Sequence, residues 1–169
     1  DHQRSIAAFS ELAGSTWADS PRQKKAKLWI GINQLFLHQW DQAEDLFETL
    51  SKAEDTQPSY YRTLAKQGKD LPRKRPILAA ALSSGVPGAG RIYVGRPADF
   101  LTTLPMVILT GWLAYDGFRQ NDVRSVKGWA FGTIGGIFYL SNIYGSAIAA
   151  QIHNRQTVDQ FLQQIVLPE

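Results

Sequence analysis

The sequence has no cysteine in its 169 residues, which excludes a disulfide framework, thiolate-ligated zinc, haem–thiolate chemistry and a cysteine nucleophile. Its three histidines, His2, His38 and His153, lacking H-x-x-x-H or H-E-x-x-H spacing, are not placed to bring two imidazoles to one metal ion. It has no G-x-S-x-G elbow for a serine nucleophile. Nor is one sign of charge in marked excess: 18 Lys/Arg against 15 Asp/Glu leaves a formal charge of +3, too mild to mark a nucleic-acid binder. The expectation is a protein that is not an enzyme, with no catalytic residues, no metal, no cofactor, no nucleic-acid partner and no small-molecule substrate legible in its residues.

Charge is also missing unevenly. Residues 1–75 hold 22 charged side chains, whereas residues 76–169 hold 11, together with 11 of the 14 glycines. A soluble domain averages roughly a quarter charged residues, so the first part is ordinary and the second depleted. The joint is the basic, proline-flanked Leu71-Pro72-Arg73-Lys74-Arg75-Pro76. It divides the chain into a helical domain at 1–75, a membrane domain at 76–154 and a C-terminal amphipathic helix at 155–169.

In the first part the apolar residues recur at helical spacing. Ser20 is placed to cap a helix that Pro21 starts, since a first-turn proline gives up an N–H that has no partner there. Leu28, Ile32, Leu35 and Phe36 then share a face, as do Ala43, Leu46, Phe47 and Leu50 after a turn at Gln39-Trp40-Asp41. A third helix starts near Pro58-Ser59 with Tyr60, Tyr61 and Leu64 on one face, and Ile6–Leu12 supplies another. Two helices joined by a short turn cannot bury their apolar faces alone and need a neighbour. Ala26 through Leu50 resembles one tetratricopeptide repeat, with Gly31 small in the first helix, Trp40-Asp41 at the turn, and Ala43 and Phe47 in the second. The resemblance implies close helix packing at Gly31, Trp40, Ala43 and Phe47 and a module that docks a partner; a generic helical hairpin reads the same residues.

In the second part, Phe100–Tyr115 is sixteen residues without a charge and Trp129–Ile152 is twenty-four. About 20 mainly apolar residues cross roughly 30 Å of hydrocarbon. Spans are therefore expected near 97–117, starting at Pro97 and kinked at Pro105, and at 129–152. Trp112, Tyr115 and Trp129 would share one interface of a helical hairpin. Gly132 with Gly136, and Gly145 with Ala149, have the small-xxx-small spacing that lets helix backbones approach in lipid. The alternative is a pair of buried core helices in a soluble domain. Ahead of the hairpin, Ile77–Val94 is apolar but broken by Gly and Pro, which suits a re-entrant or interfacial segment.

The glycine run Gly85-Val86-Pro87-Gly88-Ala89-Gly90-Arg91-Ile92 has the spacing of a phosphate-binding loop but arginine in place of its lysine and isoleucine in place of its hydroxyl. Pro87-Gly88-Ala89-Gly90-Arg91-Ile92-Tyr93-Val94-Gly95-Arg96, followed by two hydrophobic segments, instead resembles the bacterial PGxGxxYxG membrane domains, which are similar to the TM-two family with its two transmembrane helices. The resemblance extends over residues 76–154 and takes in Asn142-Ile143-Tyr144-Gly145. It implies that Pro87, Gly88, Gly90, Tyr93 and Gly95 form a turn that begins the membrane unit.

Arg91, the one charge between Ile77 and Gly95, is expected to pair with Asp99 or with a lipid phosphate, and Arg73-Lys74-Arg75 to flank the membrane or meet anionic headgroups. Val158, Phe161, Leu162 and Ile165 form the apolar stripe of the C-terminal helix, which lies on the membrane or packs on the front domain. The chain begins with Asp1; a removed signal would place the front domain outside the cytoplasm, whereas the positive flanks of the hairpin argue for the inside. The expectation leans to an extracytoplasmic front domain on a bacterial inner membrane. The fold expected is all-α, a repeat-like helical hairpin followed by a transmembrane hairpin. Its expected role is a non-enzymatic scaffold or accessory subunit of a membrane complex, with membrane lipid and other subunits as partners. The alternative is a small transporter or channel component that oligomerises around the broken 77–94 segment.

Overall fold

The computed structural model describes residues 2–14, 21–51 and 56–168, and Ser20 with its expected cap lies outside them. The regular elements of the described residues are all helices, with no strand: α1 (His2–Gly14), α2 (Pro21–Phe36), α3 (Trp40–Ser51), α4 (Thr56–Lys69), α5 (Pro76–Gly85), α6 (Ala89–Tyr93), α7 (Pro97–Asn121), a short 3₁₀ turn (Asp122–Arg124) and α8 (Val126–Leu162). The chain divides into two units: residues 1–71 with 157–169, and residues 72–156.

The first unit is built on the apolar faces of its helices. Leu28, Ile32 and Leu35 of α2 meet Ala43 and Phe47 of α3 and Tyr61, Leu64 and Ala65 of α4. Each fully buried side chain of this size contributes roughly 1.5–3 kcal/mol. Tyr60 is exposed rather than on this face, because Tyr61 beside it takes the inward position and successive helical residues point about 100° apart. A side chain at Gly31 would lie 2.5 Å from Cζ of Phe47, so the glycine makes room for the ring. Along α1 to α4 each helix packs chiefly on its neighbour in the chain.

The turn after α2 lies one step earlier than its aromatic residue suggests. Leu37–Gln39 form it and Trp40 already begins α3. The N–H of His38 donates to Leu35 O at 3.0 Å and that of Gln39 to Gln34 O at 2.9 Å, the paired bonds of a Schellman stop. His38 takes the left-handed position with φ 60°.

The C-terminal segment is not a separate helix. No glycine or proline interrupts Arg155-Gln156-Thr157, so α8 runs on to Leu162 and an irregular tail follows. From Thr157 onward these residues belong to the first unit, where Phe161 and Ile165 enter the core. Phe161 meets Trp40 edge-on at 5.9 Å between ring centres. The Tyr61 hydroxyl donates to Val166 O at 2.7 Å.

The second unit reverses the usual distribution of size. Most of its buried positions are small, among them Ala79, Ser83, Gly90, Ser146, Ala149 and Ala150. Its large apolar side chains, among them Ile77, Leu101, Ile108, Trp112, Trp129, Leu140 and Tyr144, are exposed. Among the described helices only α7, over Pro97–Gln120, is long and apolar enough to cross a membrane, and 11% of its apolar window is buried within the chain. The charge-free stretch of α8 is long enough but less apolar, because Gly132, Gly135, Gly136, Gly145, Asn142 and several hydroxyls dilute it. Pro105 lies inside α7, which continues through it.

Candidate polar site around the glycine motif

The residues of the glycine motif and its flanks each have a different physical task. Pro76, at the first position of α5, follows an extended Arg75. After α5, Gly88 caps α6 with φ 89°, a left-handed backbone that a side chain disfavours, and Phe100 packs against it. Gly90 lies so close to α5 that a side chain would run into the Ala79 carbonyl oxygen. Gly95, also at φ 89°, ends α6: its N–H donates to Ile92 O at 2.9 Å and that of Arg96 to Arg91 O at 2.8 Å, again a Schellman stop. Pro97 then starts α7. The Tyr93 hydroxyl accepts from Arg75 N–H at 3.2 Å, and the Lys74 ammonium lies 4.7 Å from the centre of the Tyr93 ring. Asn154 ties the same basic segment to α8 through two bonds to the Lys74 backbone, at 2.7 and 2.8 Å.

Behind the motif lies a buried chain of hydroxyls. Gly90 N–H donates to Ser83 Oγ at 3.0 Å, and Ser146 O–H donates to the Asn142 carbonyl at 2.8 Å. The two hydroxyl oxygens are 2.7 Å apart, and Ser146 has spent its hydrogen, so Ser83 is the donor between them. Sequence reasoning missed Ser83 and Ser146 as site residues and took Asn142 only as part of the Asn142-Ile143-Tyr144-Gly145 resemblance. Their signal was present, as polar residues set in apolar runs, but nothing linear said that positions 83 and 146 meet.

Arg91 and Asp99 are brought together, with Nη1 2.8 Å from Oδ2, and Arg96 Nε reaches the same oxygen at 3.0 Å. Two guanidinium groups thus share one carboxylate. The other end of the Arg91 guanidinium lies against α8 at Gly145, where a side chain would stand 2.8 Å from Nη2. Beside this pair is a cavity of about 260 Å³ between α7 and α8, reached by Thr102, Thr103 and Met106 from one helix and Phe138, Ser141 and Asn142 from the other.

The expected helix-packing glycines need correction. Gly136 has open space where a side chain would be, and Gly132 has only ordinary contacts with Ala114 and Phe118. The close approaches of α7 and α8 fall at Gly117 against Gly128 and at Gly135 against Thr110. The facing stripe is therefore rotated by one residue from Gly136 to Gly135. Gly145 makes room for arginine, not for a helix, while Ala149 is buried against Ala79 and Val94. Where α7 gives way to α8, Lys127 pairs with Asp116 at 2.7 Å, and Trp129 stands edge-on to Phe118 while its indole N–H donates to Val123 O.

Among the described residues no three His, Asp or Glu side chains group to hold a metal ion. The chemistry available around Arg91 is charge recognition and hydrogen bonding. No protein-family model matches the chain, and neither a curated protein nor a solved structure matches it.

Proposed function

We propose that this chain is an integral membrane protein of a bacterial inner membrane. It acts by binding, as a scaffold or accessory subunit of a larger complex whose partner docks on the helical front unit. The observation that carries the membrane reading is the reversed second unit, with alanine, serine and glycine inside and leucine, isoleucine and tryptophan outside. In water that arrangement exposes the apolar surface that folding normally hides. In hydrocarbon it costs nothing, and small residues give the helix contacts. α7 and α8 would form the crossing hairpin, with the front unit on the extracytoplasmic side. The docking role is supported by the neighbour-on-neighbour packing of α1 to α4, the way helical repeats present a surface, and by the tetratricopeptide-like residues of α2 and α3.

Alkaline-carbonate extraction of native membranes, followed by sizing in mild detergent, tests both parts. The protein should stay in the pellet and then migrate in an assembly with stoichiometric partners. Release by carbonate as a monomer would overturn the membrane reading. A second reading, a small transporter or channel component, draws on the cavity beside Arg91, which Thr102, Thr103, Ser141 and Asn142 help to line; solute flux by the purified protein in liposomes would favour it.

A further inference from the structure

Arg91, Thr102, Thr103, Ser141 and Asn142 of the second unit border one cavity. Asn142 is 2% exposed, and neither its Oδ1 nor its Nδ2 has a hydrogen-bond partner among the described residues. The buried Nε of Arg91 has none either. Buried polar groups are nearly always paired, so these three atoms call for a guest that brings acceptors to two N–H groups and a donor to one carbonyl oxygen. The charge balance specifies the sign: Arg91 and Arg96 share the single carboxylate of Asp99, which leaves one positive charge over.

We propose that this cavity binds the headgroup of an anionic glycerophospholipid, with the phosphate on Arg91 and a head-alcohol hydroxyl on Asn142. The inference rests on the membrane reading of the second unit. Depth agrees with it. Asp99 lies in the first turn of α7, and the Asp116–Lys127 pair lies near the helix's other end. Their separation along the helix is about 26 Å at 1.5 Å per residue, close to the roughly 30 Å of a hydrocarbon core, so the Arg91–Asp99 pair sits at the edge of the hydrocarbon, within an arginine's reach of the phosphates. Met106 and Phe138, both exposed, line the cavity and offer acyl chains an apolar wall, for which a free phosphate ion has no use.

Native mass spectrometry of the purified full chain in a neutral detergent, with phosphatidylglycerol added, tests the assignment. The wild type should retain one phosphatidylglycerol per chain, and phosphatidylcholine, which has no net charge and no hydroxyl, about tenfold less. Arg91→Gln and Asn142→Leu should each reduce retention about tenfold. Asp99→Asn frees both guanidinium groups and should bind at least as well as wild type; a purely architectural ion pair would give loss instead. Circular-dichroism melts check each variant's fold, and if Asn142→Leu does not fold, Arg91→Gln decides. Equal retention of the two lipids, or full retention by Arg91→Gln, would overturn the proposal. Displacement by millimolar inorganic phosphate would reassign the site to a soluble anion. A chain that resists carbonate yet retains no phosphatidylglycerol refutes this inference alone, whereas release by carbonate refutes the membrane reading beneath it.

Discussion

His38 and Gly95 do the same job with different residues. Each follows a helix by two positions, each takes a left-handed backbone, and each donates the inner bond of a Schellman stop. For glycine that conformation is free; for a residue with a Cβ it costs roughly 1–2 kcal/mol. His38 recovers part of this by stacking on Trp40, with ring centres 5.7 Å apart. His38→Gly should therefore raise the stability of the first unit by about 0.5–1 kcal/mol, read as a higher urea midpoint at unchanged slope. A lower midpoint would mean that the stack outweighs the backbone strain. In the second unit the same scale separates two kinds of glycine: Gly95 is required by its backbone angle, Gly90 by the nearness of Ala79.

At the scale of elements, α3 and α4 are joined by charge as well as by their apolar faces. Lys69 reaches Asp41 and Glu44, each at 2.6 Å, and Arg62 pairs with Glu48 at 3.0 Å. Hydrogen bonds from Asp41 and Glu44 hold the Lys69 ammonium well above the ordinary lysine range, and the Lys69 hydrogen bond holds Glu44 below the ordinary carboxylate range. The signs follow. Lys69, raised in the folded state, stabilises fully below its unfolded pKa of about 10.4 and ceases to do so as pH rises through its folded value. Glu44, lowered, stabilises above its unfolded pKa of about 4.3 and ceases to do so as pH falls through its folded value. The difference in urea midpoint between wild type and Lys69→Met should thus be flat from about pH 5 to 10 and shrink on both sides. Lys69 and Asp41 are exposed and Glu44 is half-buried, so the difference should also shrink in part in high salt. A difference that ignores pH would mean that Lys69 acts through its hydrocarbon stem.

The first unit is assembled from both ends of the sequence, which no single element reveals. The front unit is finished by the last residues of the sequence: Phe161, 8% exposed, covers Trp40, and Tyr61 holds the Val166 carbonyl. Phe161→Ala should cost about 3 kcal/mol through the lost ring and the cavity left beside Trp40. Ending the chain after Gln156 should lower the melting temperature of the front unit further, followed by the near-ultraviolet signal of its tryptophans. If both changes leave the front unit's melt untouched, residues 1–71 are self-sufficient. The second unit carries the opposite economy, with its large apolar residues turned outward and small or polar residues such as Ser83, Ser146 and Asn142 inside.

Residue order alone determined the all-helical character, because apolar spacing and proline placement act within one or two turns. It also located the charge-poor half and the stretch that became α7, since composition is a sum over neighbours. The pairing of Arg91 with Asp99 was within reach because eight residues and one Schellman turn separate them. Other features were decided only by the tertiary structure. Gly135 rather than Gly136 faces the partner helix, Ser83 finds Ser146 across sixty-three positions, and the C-terminal stripe buries itself in the front unit. The reason is common to all three: periodicity states which residues share a face, but which face meets which is settled by the shape of a partner that the linear sequence does not contain.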